Sequence, residues 1–519
     1  MERSSFYLTT PIYYVNSVPH LGTAYTTIAA DALCRWKRMT GYDVHFLTGL
    51  DEHGQKVAQA AEAAGRDPQE WVDEIATEFL KVWKLLDISN DDFIRTTEPR
   101  HETGAQVFIQ ALKESGDLYQ GHYEGWYCLP DETFYTEDQL AEGKCPLCGR
   151  DVQFIKEDNW FFRLSAYQDR LLEYYEANPE FIGPETRRNE VVSFVSGGLK
   201  DLSVSRTTFT WGIPLPFDPE HVMYVWFDAL INYITAIGYG ADGTPSFSGP
   251  LAHYWPAQYH FVGKDIIRFH CAIWPAMLMA AGVPLPERVF AHGFLLTKGE
   301  KMSKSTGNAV TPASLVERFG VDAYRYYFLR DVPFGVDGSI SVESMVQRYN
   351  ADLANDWGNL VSRLLNMTEK YCDGVAPQGS APTPDDEDIT RIASELPAAI
   401  EARMGALDYA GALEDAWELV KRTNRYIEDS APWNLAKTDE TRPRLEAVLY
   451  NALEAVRIAA LVTAPVLPNT SREVWKRLGL GDPNEVTDAV AVAAWGGLPV
   501  GSRVEKGESL FPRIYEDAE

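Results

Sequence analysis

The chain has 519 residues, of which 45% are hydrophobic and 24% charged, and its formal net charge is −28. This length predicts about three domains rather than one core. The strong negative charge argues against a protein that coats nucleic acid generally, because such binding comes from Lys and Arg, but it leaves a local basic surface for one RNA open. Only Cys145 and Cys148 among the six cysteines are close together, which excludes a secreted disulfide scaffold. The chain has neither a signal segment nor a long apolar run, so we expect a cytoplasmic protein.

The first hundred residues alternate between strand and helix patterns. The expected elements are a strand at 6–8, a loop at 9–19, a helix over 21–36, a strand at 43–47, a turn at 49–54 and a helix over 55–64. This order predicts a doubly wound, parallel α/β sheet with right-handed crossovers. Ligands of such sheets bind at the carboxyl ends of the strands.

Two changes of pattern divide the rest of the chain. Residues 115–225 contain a Cys-rich knuckle and are interpreted as an inserted connective domain, after which strand patterns resume at 259–263 and 288–292. Beyond residue 345 long helical periodicities indicate a helix bundle. The predicted domains are a Rossmann-like catalytic domain in two halves, 1–114 and 226–345, the insertion 115–225, and a helical domain 346–519.

Two short motifs point to ATP chemistry. Lys301-Met-Ser-Lys304-Ser is a glycine-flanked loop whose cations and hydroxyls could surround a polyphosphate. His20-Leu-Gly22 lies at a predicted helix start, where N–H groups and the helix dipole favour anions. Each motif alone could be a solvated turn or a capped helix. Together, in this order, they are typical of an enzyme that adenylates with ATP, since cations that act in the transition state accelerate such a reaction.

The chain resembles the methionyl-tRNA synthetases, a family of class I aminoacyl-tRNA synthetases. The resemblance runs from Phe6 to about residue 480 and includes the further blocks TPIYYVN (10–16), TGLDEHG (48–54), YVWFDAL (224–230), GKDIIRFH (263–270) and SAPW (430–433). It implies a HIGH-type catalytic domain and a methionine–tRNA ligase. Such an enzyme couples L-methionine to ATP, forms methionyl-adenylate and passes the acyl group to tRNA(Met), by positioning and electrostatics.

The resemblance also implies roles for individual residues, with Mg²⁺ accompanying ATP. Asp51 would hold the substrate's α-ammonium group, and the aromatic wall suits a polarizable thioether. The expected methionine site is Ile12, Tyr14, Asp51, Trp226, Ala229, Tyr233, Ile266 and His270. The expected ATP site is His20, Gly22, Thr23, Gly263, Asp265, His292, Gly293, Phe294, Leu295 and Lys304. The expected catalytic residues are His20, Thr23, Lys301 and Lys304. The expected anticodon-reading residues are Asn359, Arg363 and Trp433.

Thr23 departs from the family pattern. The signature usually ends in a second histidine, and a threonine hydroxyl can donate a hydrogen bond but cannot carry charge. We hypothesise that part of the phosphate stabilisation moves to Lys301, Lys304 or Mg²⁺.

The knuckle contains half of a zinc motif, Cys145-Pro-Leu-Cys148-Gly. Where a second CxxC is expected, the sequence has Cys128-Leu-Pro-Asp131. Either Zn²⁺ binds three thiolates and a carboxylate from Cys128, Asp131, Cys145 and Cys148, or the knuckle is held by packing alone.

Two other functions are considered. One is a class I synthetase for leucine, isoleucine, valine or cysteine, although the compact insertion argues against the large editing domain of the first three. The other is a non-catalytic tRNA-binding paralogue, for which Thr23 is the only support. The chain ends soon after its helices, which favours a monomer.

Overall fold

The computed structural model describes residues 3–15, 18–129, 133–135, 137–146, 148–297, 300–301, 310–379 and 382–515. The strands are β1 (Ser5–Tyr14), β2 (Asp43–Asp51), β3 (Asp92–Arg95), β4 (Leu118–Cys128), β5 (Thr133–Tyr135), β6 (Gln153–Phe162), β7 (Ile182–Gly183), β8 (Leu202–Ser203), β9 (Ser205–Arg206), β10 (Pro214–Leu215), β11 (Asp218–Met223), β12 (Tyr259–Gly263), β13 (Val289–His292), β14 (Leu295–Thr297), β15 (Glu300–Lys301) and β16 (Gly338–Ile340). The helices are α1 (Leu21–Met39), α2 (Gln55–Ala63), α3 (Pro68–Leu85), α4 (Pro99–Glu114), α5 (Gln168–Ala177), α6 (Glu185–Ser196), α7 (Val225–Thr235), α8 (Trp274–Ala281), α9 (Pro312–Phe319), α10 (Val321–Asp331), α11 (Val342–Arg348), α12 (Asn359–Cys372), α13 (Pro384–Gly405), α14 (Tyr409–Ser430), α15 (Pro432–Leu435), α16 (Arg442–Thr463), α17 (Pro468–Arg477) and α18 (Ala489–Val492).

A parallel sheet in the order β3-β2-β1-β12-β13-β7 forms the centre of the catalytic domain. Strand β2, which follows β1 in the chain, pairs with one edge of β1, and β12 pairs with the other edge. This divergence opens a crevice at the carboxyl ends of the two central strands, the usual ligand position in doubly wound folds. The predicted α/β fold class is confirmed.

The first two strands are longer than the sequence patterns suggested. The loop expected from Thr9 is wrong as far as Tyr14, because β1 continues past an irregularity between Thr9 and Ile12 and stays paired with β2. The turn expected at 49–54 begins only after Asp51 for the same reason. Hydrogen bonds between the two strands therefore extend both of them as far as the crevice.

Residues 115–225 form two small antiparallel sheets, in the orders β5-β4-β6-β8 and β10-β11-β9. Strand β7 also lies in this range, yet it pairs with β13 at the edge of the main sheet. The insertion is thus anchored in the catalytic sheet, and the division into domains stays a prediction.

The C-terminal part is helical, as the periodicities predicted. A π-helix, Tyr349–Gly358, joins α11 to α12, and one continuous hydrophobic core includes residues of both α1 and the bundle helices. Tyr409 at the start of α14 donates to the Ala29 carbonyl of α1 at 2.8 Å. Among the helices of the described ranges, none has the length and apolar character required to cross a membrane.

Candidate active site

The carboxyl ends of four strands meet at one edge of the main sheet. Tyr14 at the end of β1 pairs with Asp51 at the end of β2, and Gly263 at the end of β12 pairs with His292 at the end of β13. Residues up to 278 positions apart in sequence therefore share the crevice. This register brings Tyr14 and Asp51 of the expected methionine site to the same edge as Gly263 and His292 of the expected ATP site.

Asp51 is the last residue of β2 and is only 2% exposed. A carboxylate buried in this way requires a cation or hydrogen-bond donors. Gly49 precedes it, and a Cβ there would lie 2.1 Å from the Ile94 carbonyl oxygen and 3.0 Å from Cγ2 of Ile12. Glycine at this position lets three strands pack closely, which keeps the backbone of Ile12 beside the end of β2.

Aromatic side chains from three segments form a cluster next to this carboxylate. Tyr14 contacts Trp226 edge-on with ring centroids 6.0 Å apart, and Trp226 stacks on Phe269 at 4.0 Å. Ala229 and Tyr233 follow Trp226 on α7 at spacings of three and seven residues, so all three share one helix face. The sequence reasoning missed Phe269, although it directly precedes His270 in the GKDIIRFH block.

His270 sits in the π-helix Phe269–Ile273 and is buried against α7. Its Nδ1 is 3.0 Å from the Ile266 carbonyl oxygen, which can only accept, so Nδ1 carries a proton. Burial lowers the pKa of His270 to about 4. The ring is therefore neutral at pH 7, and its Nε2 accepts from the Tyr233 hydroxyl at 2.7 Å. The hydroxyl proton of Tyr233 is therefore directed at His270, and the lone pairs of the hydroxyl oxygen can still accept a hydrogen bond.

His20 is the N-cap of α1, so the helix begins where the sequence predicted. Its Nδ1 accepts from the backbone N–H groups of Gly22 at 3.0 Å and of Thr23 at 3.3 Å. The lone pair is thus on Nδ1, and the proton of the neutral ring is on Nε2. The histidine ring therefore already accepts from two of the N–H groups at the helix start, where the sequence predicted an anion site.

Thr23 is the third residue of α1 and completes a capping box with His20. Its hydroxyl donates to the His20 carbonyl at 2.8 Å and accepts from the His20 backbone N–H at 3.0 Å. The single hydroxyl proton is consequently directed at the histidine backbone. In sequence, Thr23 occupies the position of the second signature histidine. In this structure its hydroxyl forms hydrogen bonds with the backbone of the first signature histidine, His20.

The lysine loop is only partly described. Lys301 belongs to β15, whose backbone pairs with Leu296 of β14, and β14 in turn pairs with β16. Lys304 lies outside the described residues. The short three-stranded sheet brings the start of the loop beside the end of β13, which β14 follows after two residues.

The expected adenosine residues lie at the ends of β12 and β13. A Cβ on Gly263 would lie 2.5 Å from Oδ1 of Asp265, so glycine allows this exposed carboxylate to fold back over the strand end. Burial lowers the pKa of His292, whose Nδ1 donates to the Gly293 carbonyl at 2.8 Å. Its Nε2 accepts from the Thr26 hydroxyl at 2.6 Å, which ties this strand to the signature helix α1.

A lysine–aspartate pair beside this region was not predicted. Lys264 lies 2.7 Å from each carboxylate oxygen of Asp337, and Oδ1 also accepts from the Phe294 backbone N–H at 2.8 Å. Gly293 packs on the segment that carries Asp337, since a Cβ on Gly293 would lie 2.2 Å from the carbonyl carbon of Val336. Leu295 starts β14 directly after these contacts. The pair joins residues 73 positions apart, which no local pattern signals.

The expected anticodon residues lie on the helical bundle. Asn359 is the exposed first residue of α12, and Arg363 follows one turn later, as predicted. Arg363 is already held from α14, because its Nη2 donates to Asn424 Oδ1 at 3.1 Å. Trp433 in α15 is 44% exposed, so part of its side chain is accessible from solvent.

Three knuckle cysteines come together. The sulfur atoms of Cys128, Cys145 and Cys148 all lie within 4.8 Å of one another, and the first and last are 3.6 Å apart. Cys128 and Cys145 are buried. Asp131, the fourth expected ligand, lies outside the described residues.

Comparison with known proteins identifies the family. A family model described as tRNA synthetases class I (M) matches residues 6–155 and 149–365. A second model, the anticodon binding domain of methionyl tRNA ligase, matches residues 376–519. The chain belongs to the methionyl-tRNA synthetase family. Its activity is that of a methionine–tRNA ligase, an aminoacyl-tRNA ligase.

Individual relatives agree with this assignment. The methionine–tRNA ligase of Caldanaerobacter subterraneus subsp. tengcongensis is 52% identical over 517 residues, covering 100% of the chain and 80% of the relative. That of Thermotoga maritima is 51% identical over 98% of the chain and 80% of the relative. Mycobacterium tuberculosis methionyl-tRNA synthetase in complex with methionyl-adenylate is 45% identical, with a TM-score of 0.94 over 98% of this chain and 100% of that one. The apo form of the mycobacterial enzyme gives a TM-score of 0.87 over 100% of this chain and 99% of that one, at 41% identity.

The family, fold and reaction expected from the sequence are therefore confirmed. The alternative as a synthetase for another amino acid is wrong, since both the family model and the relatives are methionine-specific by description. The roles of individual residues stay predictions.

Proposed function

We propose that the crevice between β1 and β12 forms methionyl-adenylate and transfers its acyl group to tRNA(Met). The observation that carries this assignment is the buried Asp51 carboxylate next to the cluster of Tyr14, Trp226, Tyr233 and His270. A carboxylate suits the α-ammonium group of methionine, and aromatic rings around a neutral histidine suit a thioether. The relative with a TM-score of 0.94 is described as a complex with methionyl-adenylate, which supports the same intermediate here.

The first step needs charge stabilisation rather than a protein nucleophile. A methionine carboxylate oxygen attacks the α-phosphorus of ATP, the bond to the pyrophosphate oxygen breaks, and pyrophosphate leaves. The Nε2–H of His20 would donate to phosphate oxygens, while Lys301 and Lys304 would neutralise charge as it develops. Mg²⁺ would enter with ATP as part of the substrate. Thr23 would act by holding His20.

The second step joins the amino acid to RNA. A hydroxyl of the terminal tRNA ribose attacks the carbonyl carbon of the adenylate, and AMP leaves. The helical domain would bind the anticodon, with an unpaired base stacked on Trp433 and base edges read by Asn359 and Arg363. We expect the chain to act as a monomer.

The knuckle would hold one zinc ion. Two thiolates on a tetrahedral zinc are separated by about 3.8 Å, given Zn–S bonds of about 2.3 Å, and Cys128 and Cys148 are 3.6 Å apart. Cys145 would be the third ligand and Asp131 the fourth. The ion would fix the fold of the knuckle and take no part in the reaction. Metal analysis of protein purified without added zinc should give close to one equivalent, and less than about a tenth of an equivalent would contradict the site.

ATP–pyrophosphate exchange with each of the twenty amino acids tests the proposed function. We expect exchange with methionine alone, and its loss in Asp51→Asn, which keeps the shape but removes the charge. Glu78→Gln is the matched control, because Glu78 is a carboxylate on the outer face of α3, 40% exposed and paired with Lys81. A protein that binds tRNA(Met) but shows no exchange would instead be a non-catalytic paralogue.

A further inference from the structure

A buried cluster of three ionisable side chains lies behind the expected methionine site and has no part in the chemistry above. Asp228 is fully buried and accepts hydrogen bonds from Nδ1 of His53 at 2.7 Å and from Nε2 of His101 at 2.6 Å. Both histidines are also buried, at 4% and 0% exposure. The three residues belong to the turn after β2, to α4 and to α7, so one carboxylate joins three separate elements.

The hydrogen-bond directions in this cluster are fixed. A carboxylate only accepts, so each histidine carries a proton on the nitrogen that faces Asp228. The other nitrogen of His101 lies 2.8 Å from the hydroxyl of Thr235, two turns after Asp228 on α7, and accepts the hydroxyl proton when the ring is neutral. Burial would raise the pKa of Asp228, but His53 and His101 outweigh it and hold that pKa below its usual value.

The positions of these residues in sequence connect the cluster to the substrate. Asp228 lies between Trp226 and Ala229 on α7, which forms the wall of the thioether pocket. His53 follows Asp51, the expected ammonium ligand, by two residues. The bridge from His53 to Asp228 therefore spans from the ammonium end of the methionine site to its side-chain end.

Helix α4 fixes the position of α7 from behind. A Cβ on Gly104 would lie 2.5 Å from Cγ2 of Thr235 and 2.7 Å from the Tyr239 carbonyl oxygen. Helix α4 is therefore packed closely against the last residue of α7 and the segment that follows it, and His101 lies in the first turn of α4. A shift of α7 away from the pocket would break the packing and the hydrogen bond together.

We propose that Asp228, with His53 and His101, sets the distance between the ammonium carboxylate and the thioether wall, and so acts as a positioning group for methionine selection. This inference rests on the proposed location of the methionine site. We assign the three no contact with the substrate, because the side-chain hydrogen bonds of the cluster join them to one another and to Thr235. Their effect reaches methionine through the backbone at Asp51 and through Trp226.

The test compares variants of His53 in methionine-dependent ATP–pyrophosphate exchange. His53→Ala removes a hydrogen bond to a charged acceptor and should raise KM for methionine about tenfold or more, while KM for ATP stays within about twofold. His53→Asn can place its amide nitrogen where Nδ1 was, and it should restore most of the loss. Ethionine, one methylene longer, should gain relative to methionine in His53→Ala, because the pocket is no longer held at its native width.

Two further variants keep the result interpretable. Thr235→Val preserves volume but removes the donor to His101, and it should shift the methionine-to-ethionine ratio of kcat/KM in the same direction by a smaller factor. His122→Ala removes an exposed histidine paired with Asp158 in the insertion and should change nothing. If His53→Ala does not fold, His53→Asn and Thr235→Val carry the test.

A lower melting temperature with an unchanged methionine KM and an unchanged substrate ratio would overturn the proposal and leave a structural role only. Equal increases in KM for methionine and ATP would overturn it as well. Failure of the proposed function is a separate outcome, since the unaltered protein would then show no methionine-dependent exchange.

Discussion

Replacement of Thr23 tests whether this residue acts on His20 or on ATP. Thr23→Val keeps the branched shape but removes both hydrogen bonds to the His20 backbone, at 2.8 and 3.0 Å. Thr23→Ser keeps the hydroxyl and serves as the matched control. The hydroxyl proton of Thr23 is directed at the His20 carbonyl. We therefore expect Thr23→Val to weaken the capping of α1 and not to remove a hydrogen bond to phosphate.

The two roles differ in magnitude. Removal of a capping hydrogen bond costs about 1 kcal/mol, which corresponds to a factor of about five in the population of correctly held His20. Removal of a donor that binds charge only in the transition state costs about 100-fold or more in kcat. The capping role therefore predicts that Thr23→Val lowers the kcat of methionine activation about fivefold, with KM for ATP nearly unchanged.

Steady-state ATP–pyrophosphate exchange, with thermal unfolding of the same variants, measures this difference. Thr23→Ser should stay within about twofold of the unaltered protein, because serine also completes a capping box. A loss of 100-fold or more in Thr23→Val, without a change in melting temperature, would refute the capping role. Such a result would mean that the hydroxyl turns to the phosphates when ATP binds.

Three further outcomes follow from the site. Lys304→Gln should slow adenylation strongly while methionine binding barely changes, and an unchanged adenylation rate would remove this lysine from the mechanism. Trp433→Ala should impair aminoacylation of tRNA(Met) and spare methionine activation, since the ring is 44% exposed, whereas equal losses in both assays would indicate a folding role. The pKa of His270 falls from 6.5 to about 4 on folding, so the unfolded chain binds more protons between these values and stability declines as the pH falls through them. His270→Gln should therefore reduce the difference in unfolding free energy between pH 7 and pH 5 by up to about 2 kcal/mol, measured by chemical denaturation. An undiminished difference would contradict the buried neutral histidine.

Local patterns were sufficient for much of the architecture. Helical periodicity beyond residue 345 was sufficient to predict the helix bundle, because a helix such as α14 buries an apolar stripe that recurs over many turns. The helix start at His20 was also correct, since a polar cap before an apolar helix is a local signal. Strand ends were less accurate, as β1 continues to Tyr14 through pairing that depends on β2 rather than on its own residues.

The residues that shape the crevice show a similar division. The family resemblance implied Asp51, Trp226, Tyr233 and His270, and the structure brings them close to one edge of the sheet. Phe269 was missed because an aromatic residue at that position is equally compatible with ordinary core packing.

The amino-acid sequence by itself determined the family, the reaction and the parallel α/β class, because these depend on motifs and periodicities that are local along the chain. Only the tertiary structure decided what the polar side chains bind. His292, for example, accepts from Thr26, which lies 266 residues away in sequence. The partners of Asp228 lie 127 and 175 residues away. Hydrogen bonds of this kind depend on distances and directions in space, which the order of residues alone does not contain.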